Sequence, residues 1–210
     1  MIESISIVIP SYNESENIKE LCRRTLDVIK KINIKKYELI FVENGSKDNS
    51  LELLKKINLE NKSIKIISLS RNFGYQSAIA VGLKYSENDY VCVMDGDLQD
   101  PPEIISKFVE KIKEGYDVVY GIRIKRKGNI IKKLFYNLFY EIYSRLSEID
   151  VPKKSGDFCL MNKKIVKNLN SLSEKNLFMR GLRSWVGFKQ IGIEYDRDER
   201  YAGKTNFSFF

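Results

Sequence analysis

Two aspartates, Asp95 and Asp97, lie one residue apart directly after an apolar segment, residues 90–94, that has the composition of a buried strand. Two carboxylates with this spacing at the carboxyl end of a strand can share a divalent cation, and their hard oxygen ligands suit Mg²⁺ or Mn²⁺. Gly96 has no Cβ, so the backbone between them can bend tightly and bring both side chains toward one point. The sequence therefore predicts a divalent-cation site at which a bound metal could neutralise a diphosphate.

The segments around this loop alternate between strand-like and helix-like patterns. The predicted strands are residues 4–9, 37–42, 64–68, 90–94 and 117–120, and the predicted helices between the first four are residues 16–31, 50–58 and 76–86. Such alternation indicates an α/β fold in which a mostly parallel sheet is flanked by helices. Ligands of these folds bind beyond the carboxyl ends of the strands, so we expect one pocket lined by four polar loops, residues 10–14, 43–46, 70–74 and 95–97.

The residues after the aspartate pair have the pattern of a helix start. Asp100 stands in the N-cap position, Pro101 follows at the first helical position, and Glu103 lies three residues after the cap. We therefore interpret Asp100 as a helix cap rather than as a metal ligand.

The composition narrows the choice of chemistry and of partners. Lys and Arg total 36 against 28 Asp and Glu, a net charge of +8 that favours anionic partners such as nucleotides, nucleic acid or an anionic membrane surface. No DNA- or RNA-binding motif accompanies the basic residues, so we expect no nucleic-acid partner. The chain has no histidine, so any general base must be a carboxylate.

Cysteine usage and hydropathy indicate the cellular location of the chain. Cys22, Cys92 and Cys159 are scattered and lack C-x-x-C spacing, so we expect reduced core residues and a cytoplasmic location. The first predicted strand begins without a preceding cleavable signal, and no uncharged apolar stretch approaches the roughly 20 residues that span a bilayer. We therefore expect a chain that does not cross the membrane.

Residues 123–150 combine a basic run with an apolar helical face. The basic residues are Arg123, Lys125, Arg126, Lys127, Lys132 and Lys133, and apolar residues recur at three- and four-residue steps from residue 131 to residue 149. The apolar face could pack on the sheet or on a second subunit of a homo-oligomer. We favour a helix in the membrane interface, because cations that contribute about 1 kcal/mol each would give reversible docking to an anionic surface.

The rest of the chain is predicted to be loop-rich through residues 155–158, which include Asp157. An apolar helix follows at residues 165–172, and two closing segments cover residues 179–189 and 191–195.

Five motifs follow one another along the chain: residues 9–14 (IPSYNE), 70–76 (SRNFGYQ), 94–103 (MDGDLQDPPE), 155–158 (SGDF) and 184–189 (SWVGFK). In this order they resemble glycosyltransferase family 2, and more narrowly the polyprenyl-phosphate glycosyltransferases of the bactoprenol glucosyltransferase and dolichol-phosphate mannose synthase type. The resemblance covers essentially the whole chain and implies a single GT-A domain, residues 1–210. Residues 1–122 would hold the nucleotide-sugar and the metal, residues 123–150 would form the basic helix, and residues 151–210 would form the acceptor-side half.

The resemblance also implies roles for individual residues. Those matching the family's metal-surrounding positions are Asp95, Asp97 and Gln99, and those matching its nucleotide-lining positions are Pro10, Tyr12, Glu14, Asn44 and Asp95. Asp157 matches a residue near the acceptor, as a candidate base or positioning group. The candidate catalytic residues are Asp97, Asp157, Arg123 and Arg200. The two arginines match the family's pattern and are candidates for binding the acceptor phosphate, and Arg145 or Arg197 is a further candidate by charge rather than by resemblance.

Two of these assignments have open alternatives. Asn44-Gly45 is also typical of an ordinary turn, and Glu14 is also typical of an acidic residue that complements the dipole at the start of a helix.

The implied activity is an inverting transfer of a hexose, glucose in our hypothesis, from a UDP-sugar to undecaprenyl or another polyprenyl phosphate. The protein would be peripheral on the inner face of the cell membrane. Family members usually have Asp-Asp-Gly-Ser where this chain has Glu43-Asn44-Gly45-Ser46, and the pattern also differs at residues 202–207, where a cation stands at Lys204. These departures favour, as an alternative, a non-catalytic nucleotide-sugar-binding remnant. The transmembrane helices usual in the family are missing here, which favours a saccharide or cell-wall acceptor as a second alternative.

Overall fold

The computed structural model describes residues 2–124, 155–174 and 177–202. The strands are β1 (Ser4–Ser11), β2 (Lys36–Glu43), β3 (Ile64–Ser68), β4 (Tyr90–Val93), β5 (Val118–Arg123), β6 (Ser155–Asn162) and β7 (Gln190–Tyr195). The helices are α1 (Ile18–Lys31), α2 (Ser50–Glu60), α3 (Tyr75–Tyr85), α4 (Ile104–Lys113), α5 (Lys163–Ser171) and α6 (Met179–Trp185).

The strands form one sheet in the order β3-β2-β1-β4-β6-β5-β7. β1 pairs in parallel with β2 and β4, β2 with β3, and β5 with β7, whereas β6 is antiparallel to both of its neighbours. This arrangement confirms the predicted α/β fold with a mostly parallel sheet flanked by helices. The carboxyl ends of all strands but β6 therefore meet at one edge of the sheet.

The core occupies both faces of the sheet. Ile5, Ile7 and Ile9 of β1 pack with side chains of α1, α2 and α4, whereas Val8 packs with side chains of α3 and α5 on the other face. All four are fully buried, and burying a side chain of this size contributes about 1.5–3 kcal/mol. Burial on both faces explains apolar runs such as residues 39–42 of β2. The three cysteines are buried and free, as predicted.

The strand β6 corrects one prediction. The sequence predicts a loop at residues 155–158, but these residues begin a strand that is buried along all of its length except Asn162. Ser155 and Gly156 suggest a turn by composition, yet both lie on this strand, and the side chain of Arg123 lies next to Gly156, its Nε 3.4 Å from where a Cβ would stand. Asp157 therefore lies on a central strand rather than on a loop.

The predicted helix cap is also wrong. The helix α4 begins at Ile104, and among the described residues no side chain caps its amino end. Asp100 is instead fully buried and accepts hydrogen bonds from Arg123 and Tyr195. The local pattern could not indicate this, because Tyr195 lies 95 residues away along the chain.

Two predictions fall outside the described residues. They are the basic amphipathic helix within residues 123–150, of which only Arg123 and Ile124 are described, and most of the departure at residues 202–207. Across the three described ranges, no helix combines the length and the apolar character needed to cross a bilayer.

Candidate active site

A cleft of about 690 Å³ opens at the carboxyl ends of the strands. All predicted site residues that the structure describes line it, namely Pro10, Tyr12, Glu14, Asn44, Asp95, Asp97, Gln99, Arg123, Asp157, Arg197 and Arg200. Each of the four predicted polar loops contributes to this lining, so the expected convergence of the loops is confirmed. Arg145 lies outside the described residues.

Close backbone contacts shape the bend after β4. A Cβ on Gly96 would lie 3.0 Å from the carbonyl oxygen of Pro10, so glycine lets this bend approach the loop after β1. The left-handed backbone conformation lies at Leu98, with φ of 61°, rather than at Gly96. Oδ1 of Asp97 accepts a hydrogen bond of 3.1 Å from the backbone nitrogen of Gln99 and thereby fixes the bend.

Asp95 is held by groups from two other elements. Its Oδ1 accepts a hydrogen bond from the hydroxyl of Tyr75, and its Oδ2 lies 3.2 Å from Nη2 of Arg123. Burial, together with the negative charge of Asp100, raises the pKa of Asp95 to about 7. A cation beside this carboxylate would lower its pKa and favour the charged form.

Asp100, Arg123 and Tyr195 form a buried cluster next to the bend. Nη2 of Arg123 donates to Oδ2 of Asp100 over 2.6 Å, and the hydroxyl of Tyr195 donates to Oδ1 over 2.5 Å. Burial acts to raise the pKa of Asp100, but Arg123, Arg197 and Tyr195 outweigh it and hold that pKa below its usual value. Arg123, predicted to bind the acceptor phosphate, thus contacts two carboxylates here.

The donor chemistry of the aspartate pair fits a divalent cation. Oδ2 of Asp95 and Oδ2 of Asp97 lie 3.5 and 3.8 Å from the same cationic nitrogen, Nη2 of Arg197, so both carboxylates face one point. Within the described ranges, no group of three or more acidic, cysteine or histidine side chains could hold a metal ion by itself. Mg²⁺ commonly binds one or two carboxylates and takes its other ligands from water and substrate phosphates, which matches this donor set.

Glu14 connects the loop after β1 to the segment after β7. Its Oε1 accepts a hydrogen bond from Nη2 of Arg200, and its Oε2 accepts one of 2.5 Å from Nδ2 of Asn17. Nε of Arg200 also donates to the carbonyl oxygen of Ala202 over 3.0 Å. Burial raises the pKa of Glu14 even though Arg200 and Asn17 act to lower it. This pair positions the guanidinium of Arg200 at the cleft.

Asn44 holds the loop between β3 and α3. Its Nδ2 donates to Oδ1 of Asn72 and to the carbonyl oxygen of Gly74, both over 3.2 Å, and its Oδ1 accepts a hydrogen bond of 3.0 Å from the backbone nitrogen of Phe73. A Cβ on Gly45 would lie 2.5 Å from the backbone of Arg71, so the two loops touch directly. The Asn44-Gly45 turn therefore also shapes the cleft.

Replacing Asn44 with aspartate, the residue usual in the resembled family, is expected to destabilise this chain. The aspartate has no amide group to donate to Asn72 and Gly74, and its carboxylate oxygen would face these two acceptor oxygens instead. We therefore expect the free energy of unfolding to fall by about 1–3 kcal/mol. Urea denaturation measures the change. Asn61→Asp is the matched control, because Oδ1 of Asn61 accepts from the backbone nitrogen of Ser63 and a carboxylate can do the same. Equal losses in both variants would contradict the assignment.

Asp157 is fixed from two sides. Nε of Arg180 lies 3.2 Å from Oδ1 of Asp157, and Nε2 of Gln76 donates to Oδ2 over 3.5 Å. Oε1 of Gln76 accepts a hydrogen bond of 2.8 Å from the backbone nitrogen of Met179, and Nη1 of Arg180 donates to the carbonyl oxygen of Ser155 over 3.1 Å. The amino end of α6 is therefore hydrogen-bonded to the start of β6, and Arg180 lines the cleft.

Sequence reasoning missed four of the residues that build this site. They are Tyr75, Gln76, Arg180 and Tyr195, of which the first two belong to the quoted motif at residues 70–76. The motif at residues 184–189 is not brought to the cleft. It leads into the amino end of β7, where the carbonyl oxygen of Lys189 accepts from the backbone nitrogen of Asp117 over 2.8 Å.

Comparison with known proteins places the chain in a family. Residues 6–169 match glycosyl transferase family 2. An uncharacterized glycosyltransferase of Bacillus subtilis (strain 168) is 49% identical over 203 residues, which are 96% of this chain and 62% of the relative. A prophage bactoprenol glucosyl transferase homolog of Escherichia coli (strain K12) is 34% identical over 205 residues, 97% of this chain and 67% of that relative. This chain therefore spans less than two thirds of the Bacillus protein's length.

A solved structure has the same fold at low sequence identity. The glucosyl-3-phosphoglycerate synthase from Mycobacterium tuberculosis, in complex with Mn²⁺, uridine diphosphate and phosphoglyceric acid, aligns with a TM-score of 0.59 and 17% identity. The alignment covers 96% of this chain and 72% of that one. This likeness shows that the chain has the GT-A fold.

Proposed function

The chain belongs to glycosyl transferase family 2, and from that premise we propose that it moves a hexose from a UDP-sugar to a polyprenyl phosphate with inversion at the anomeric carbon. The observation that carries the proposal is the aspartate pair, since Asp95 and Asp97 face one point inside the cleft at the carboxyl ends of the strands. The Escherichia coli relative is described as a bactoprenol glucosyl transferase homolog, which supports glucose and a polyprenyl carrier as the first choices.

The donor would bind between the loops after β1, β2 and β4. Asp95 and Asp97, with Gln99 beside them, would hold Mg²⁺ or Mn²⁺ there. A cation so bound supplies charge stabilisation to the departing diphosphate. Tyr12 and Asn44 line the same cleft and would contact the nucleoside together with Pro10 and Glu14. The Mycobacterium structure contains both Mn²⁺ and uridine diphosphate, which supports this choice of metal and nucleotide.

The acceptor would approach from the side of the cleft formed by Asp157 and Arg180. A phosphate monoester is already anionic at neutral pH, so its oxygen can attack the anomeric carbon without a strong base. The new bond would form on the face opposite the departing UDP, whose bond to the sugar breaks with its electron pair going to the diphosphate. Asp157 would position Arg180 rather than remove a proton, since the two form an ion pair of 3.2 Å.

The arginines of the cleft address the main energetic obstacle. An anionic acceptor and an anionic donor about 4 Å apart repel by roughly 4 kcal/mol at an effective dielectric constant near 20. Arg123, Arg180, Arg197 and Arg200 all line the cleft, and a guanidinium can bind phosphate through two parallel hydrogen bonds. We assign the acceptor phosphate to Arg180 and Arg200 rather than to Arg123, because Arg123 bridges two carboxylates beside the proposed cation site, Asp95 at 3.2 Å and Asp100 at 2.6 Å.

The proposed place of reaction is an anionic membrane surface. The net charge of +8 and the basic run at residues 123–133 support peripheral attachment on the cytoplasmic side, where a polyprenyl phosphate would be accessible. In this proposal residues 1–210 act as one domain, with the donor bound by residues 1–122 and the acceptor approached by residues 151–210.

Transfer assays test the proposal. The chain is incubated with UDP-glucose, with Mg²⁺ or Mn²⁺, and with or without a short-chain polyprenyl phosphate. We expect a glucosylated polyprenyl phosphate that forms only with both the metal and the lipid, and UDP release in equal amount. Transfer to saccharides without transfer to the lipid would replace the acceptor assignment, and UDP binding without any turnover in a full panel of acceptors would contradict catalysis.

A further inference from the structure

Arg197 is the cation of the cleft that is held least well. Its guanidinium lies 3.5 Å from Asp95, 3.8 Å from Asp97 and 3.4 Å from Asp100. All three distances are longer than a typical charge-assisted hydrogen bond, which is about 2.7–2.9 Å. Within the described part of the chain, its buried Nε makes no hydrogen bond, and the 3.4 Å contact with Oδ1 of Asp100 is an ion pair only. A buried guanidinium nitrogen that makes no hydrogen bond is costly, which indicates that a better partner belongs to another state of the site.

The neighbouring arginine shows the contrast. Arg123 donates to Asp100 over 2.6 Å and contacts the hydroxyl of Tyr195 over 3.3 Å. Tyr195 satisfies the other oxygen of Asp100. Both oxygens of Asp100 therefore accept hydrogen bonds that do not involve Arg197. If Arg197 moved away, Asp100 would keep both donors.

Nη2 of Arg197 lies at the point that Asp95 and Asp97 share. A divalent cation on these two oxygens and a guanidinium at the same point would be like charges a few ångströms apart, and such charges repel strongly. The guanidinium must then move, and the nearest strong acceptor for its planar donors would be the diphosphate that reaches the same metal.

We propose that Arg197 exchanges partners during donor binding: it neutralises Asp95 and Asp97 before the cation binds, and it binds the donor diphosphate once the cation occupies the pair. The inference rests on the proposed function, because it requires a nucleoside diphosphate in this cleft. Arg197 is thereby a donor-binding residue, which differs from the acceptor role that the sequence indicates for it. The exchange keeps the buried carboxylates neutralised at every stage and makes metal and donor binding mutually dependent.

The exchange predicts opposite effects of one substitution on two ligands. In Arg197→Gln the aspartate pair has lost its competing charge, so Mn²⁺ alone should bind about 10-fold more tightly than to the unmodified protein. With Mn²⁺ saturating, UDP should bind about 10-fold more weakly, because the diphosphate has lost a bidentate partner. Isothermal titration calorimetry with Mn²⁺ alone, and then with UDP in the presence of Mn²⁺, measures both affinities without any turnover.

Two further variants serve as controls for Arg197→Gln. Arg180→Gln removes one charge from the Asp157 side of the same cleft, and it should change Mn²⁺ affinity by less than about 3-fold because Arg180 is paired with Asp157 rather than placed at the aspartate pair as Arg197 is. Arg197→Lys keeps the charge, and its Mn²⁺ affinity should stay near that of the unmodified protein. Circular dichroism confirms that each variant is folded.

The results separate the two claims. Weaker or unchanged Mn²⁺ binding in Arg197→Gln, with UDP and Mn²⁺ both bound by the unmodified protein, would overturn the exchange and leave the proposed function in place. An unmodified protein that binds neither Mn²⁺ nor UDP would overturn the proposed function and the exchange together. Tighter Mn²⁺ binding with weaker UDP binding, seen in Arg197→Gln and not in Arg180→Gln, supports the exchange.

Discussion

Replacing Asp97 with asparagine is expected to lower the turnover of the UDP-sugar by about 10³-fold, which corresponds to about 4 kcal/mol of lost transition-state stabilisation. The change removes one anionic ligand from the proposed cation site, so less positive charge stabilises the departing diphosphate. The fold should survive, because Oδ1 of Asp97 accepts a hydrogen bond from the backbone nitrogen of Gln99, and the amide oxygen of asparagine can accept it equally. Steady-state kinetics of UDP release measures the effect.

Asp27→Asn is the control for this variant. Asp27 lies on the exposed side of α1 and pairs with Arg23 over 3.0 Å, where its side chain is 65% exposed. An exposed ion pair of this kind contributes little, so activity and stability should both stay within experimental error of the unmodified protein. An Asp97→Asn variant that is folded and nearly as active as Asp27→Asn would contradict the role given to the aspartate pair.

Replacing Asp100 with asparagine is expected to lower the free energy of unfolding by about 3–5 kcal/mol, because it breaks a buried ion pair and leaves a guanidinium without its closest carboxylate. Asp100 is fully buried, and its two oxygens accept from Arg123 and Tyr195. An asparagine has one acceptor oxygen instead of two charged ones, so it cannot satisfy both donors. Urea denaturation followed by circular dichroism measures the loss.

Glu103→Gln provides a comparison of the same chemistry on the surface. Glu103 accepts from Arg24 at 2.9 and 2.6 Å, as a carboxylate does in a bidentate pair, but its side chain is 53% exposed. Solvent screens such a pair, so we expect a loss of less than about 1 kcal/mol. A loss in Asp100→Asn no larger than that in Glu103→Gln would show that the buried cluster is not a stabilising element.

The sequence predicts the fold well where the pattern is local. The strand at residues 64–68 matches β3 in both of its bounds, and β1, β2 and β4 are found at the predicted places with ends that differ by one or two residues. The apolar runs at residues 39–42 of β2 and 90–93 of β4 arise because helices cover both faces of the sheet, and such runs are visible without any tertiary information. The convergence of their loops then follows from parallel pairing alone.

The errors lie where side chains act over long separations in sequence. Asp100 has the pattern of a helix cap, but its donors come from residues 123 and 195. Asp157 has the pattern of a loop residue, but it lies on β6, which pairs with β4 on one side and with β5 on the other. No local pattern marks Arg180 as a site residue, because the packing of α6 against β6 is what brings it to Asp157.

Asn44 illustrates how a departure from a family pattern can be compensated. A neutral amide in place of the usual carboxylate loses a charge, yet it gains two donations to the loop at residues 72–74. A compensated change of this kind argues for a maintained cleft, and it weakens the alternative of a decayed, non-catalytic remnant.

A crystal of the chain soaked with MnCl₂ and UDP tests the central claim most directly, because the anomalous signal of manganese locates the cation. The account predicts a manganese peak between Asp95 and Asp97, about 2.1 Å from carboxylate oxygens, with the diphosphate of UDP on the same ion. UDP bound with its diphosphate turned away from both aspartates, or a manganese peak elsewhere in the cleft, would contradict it.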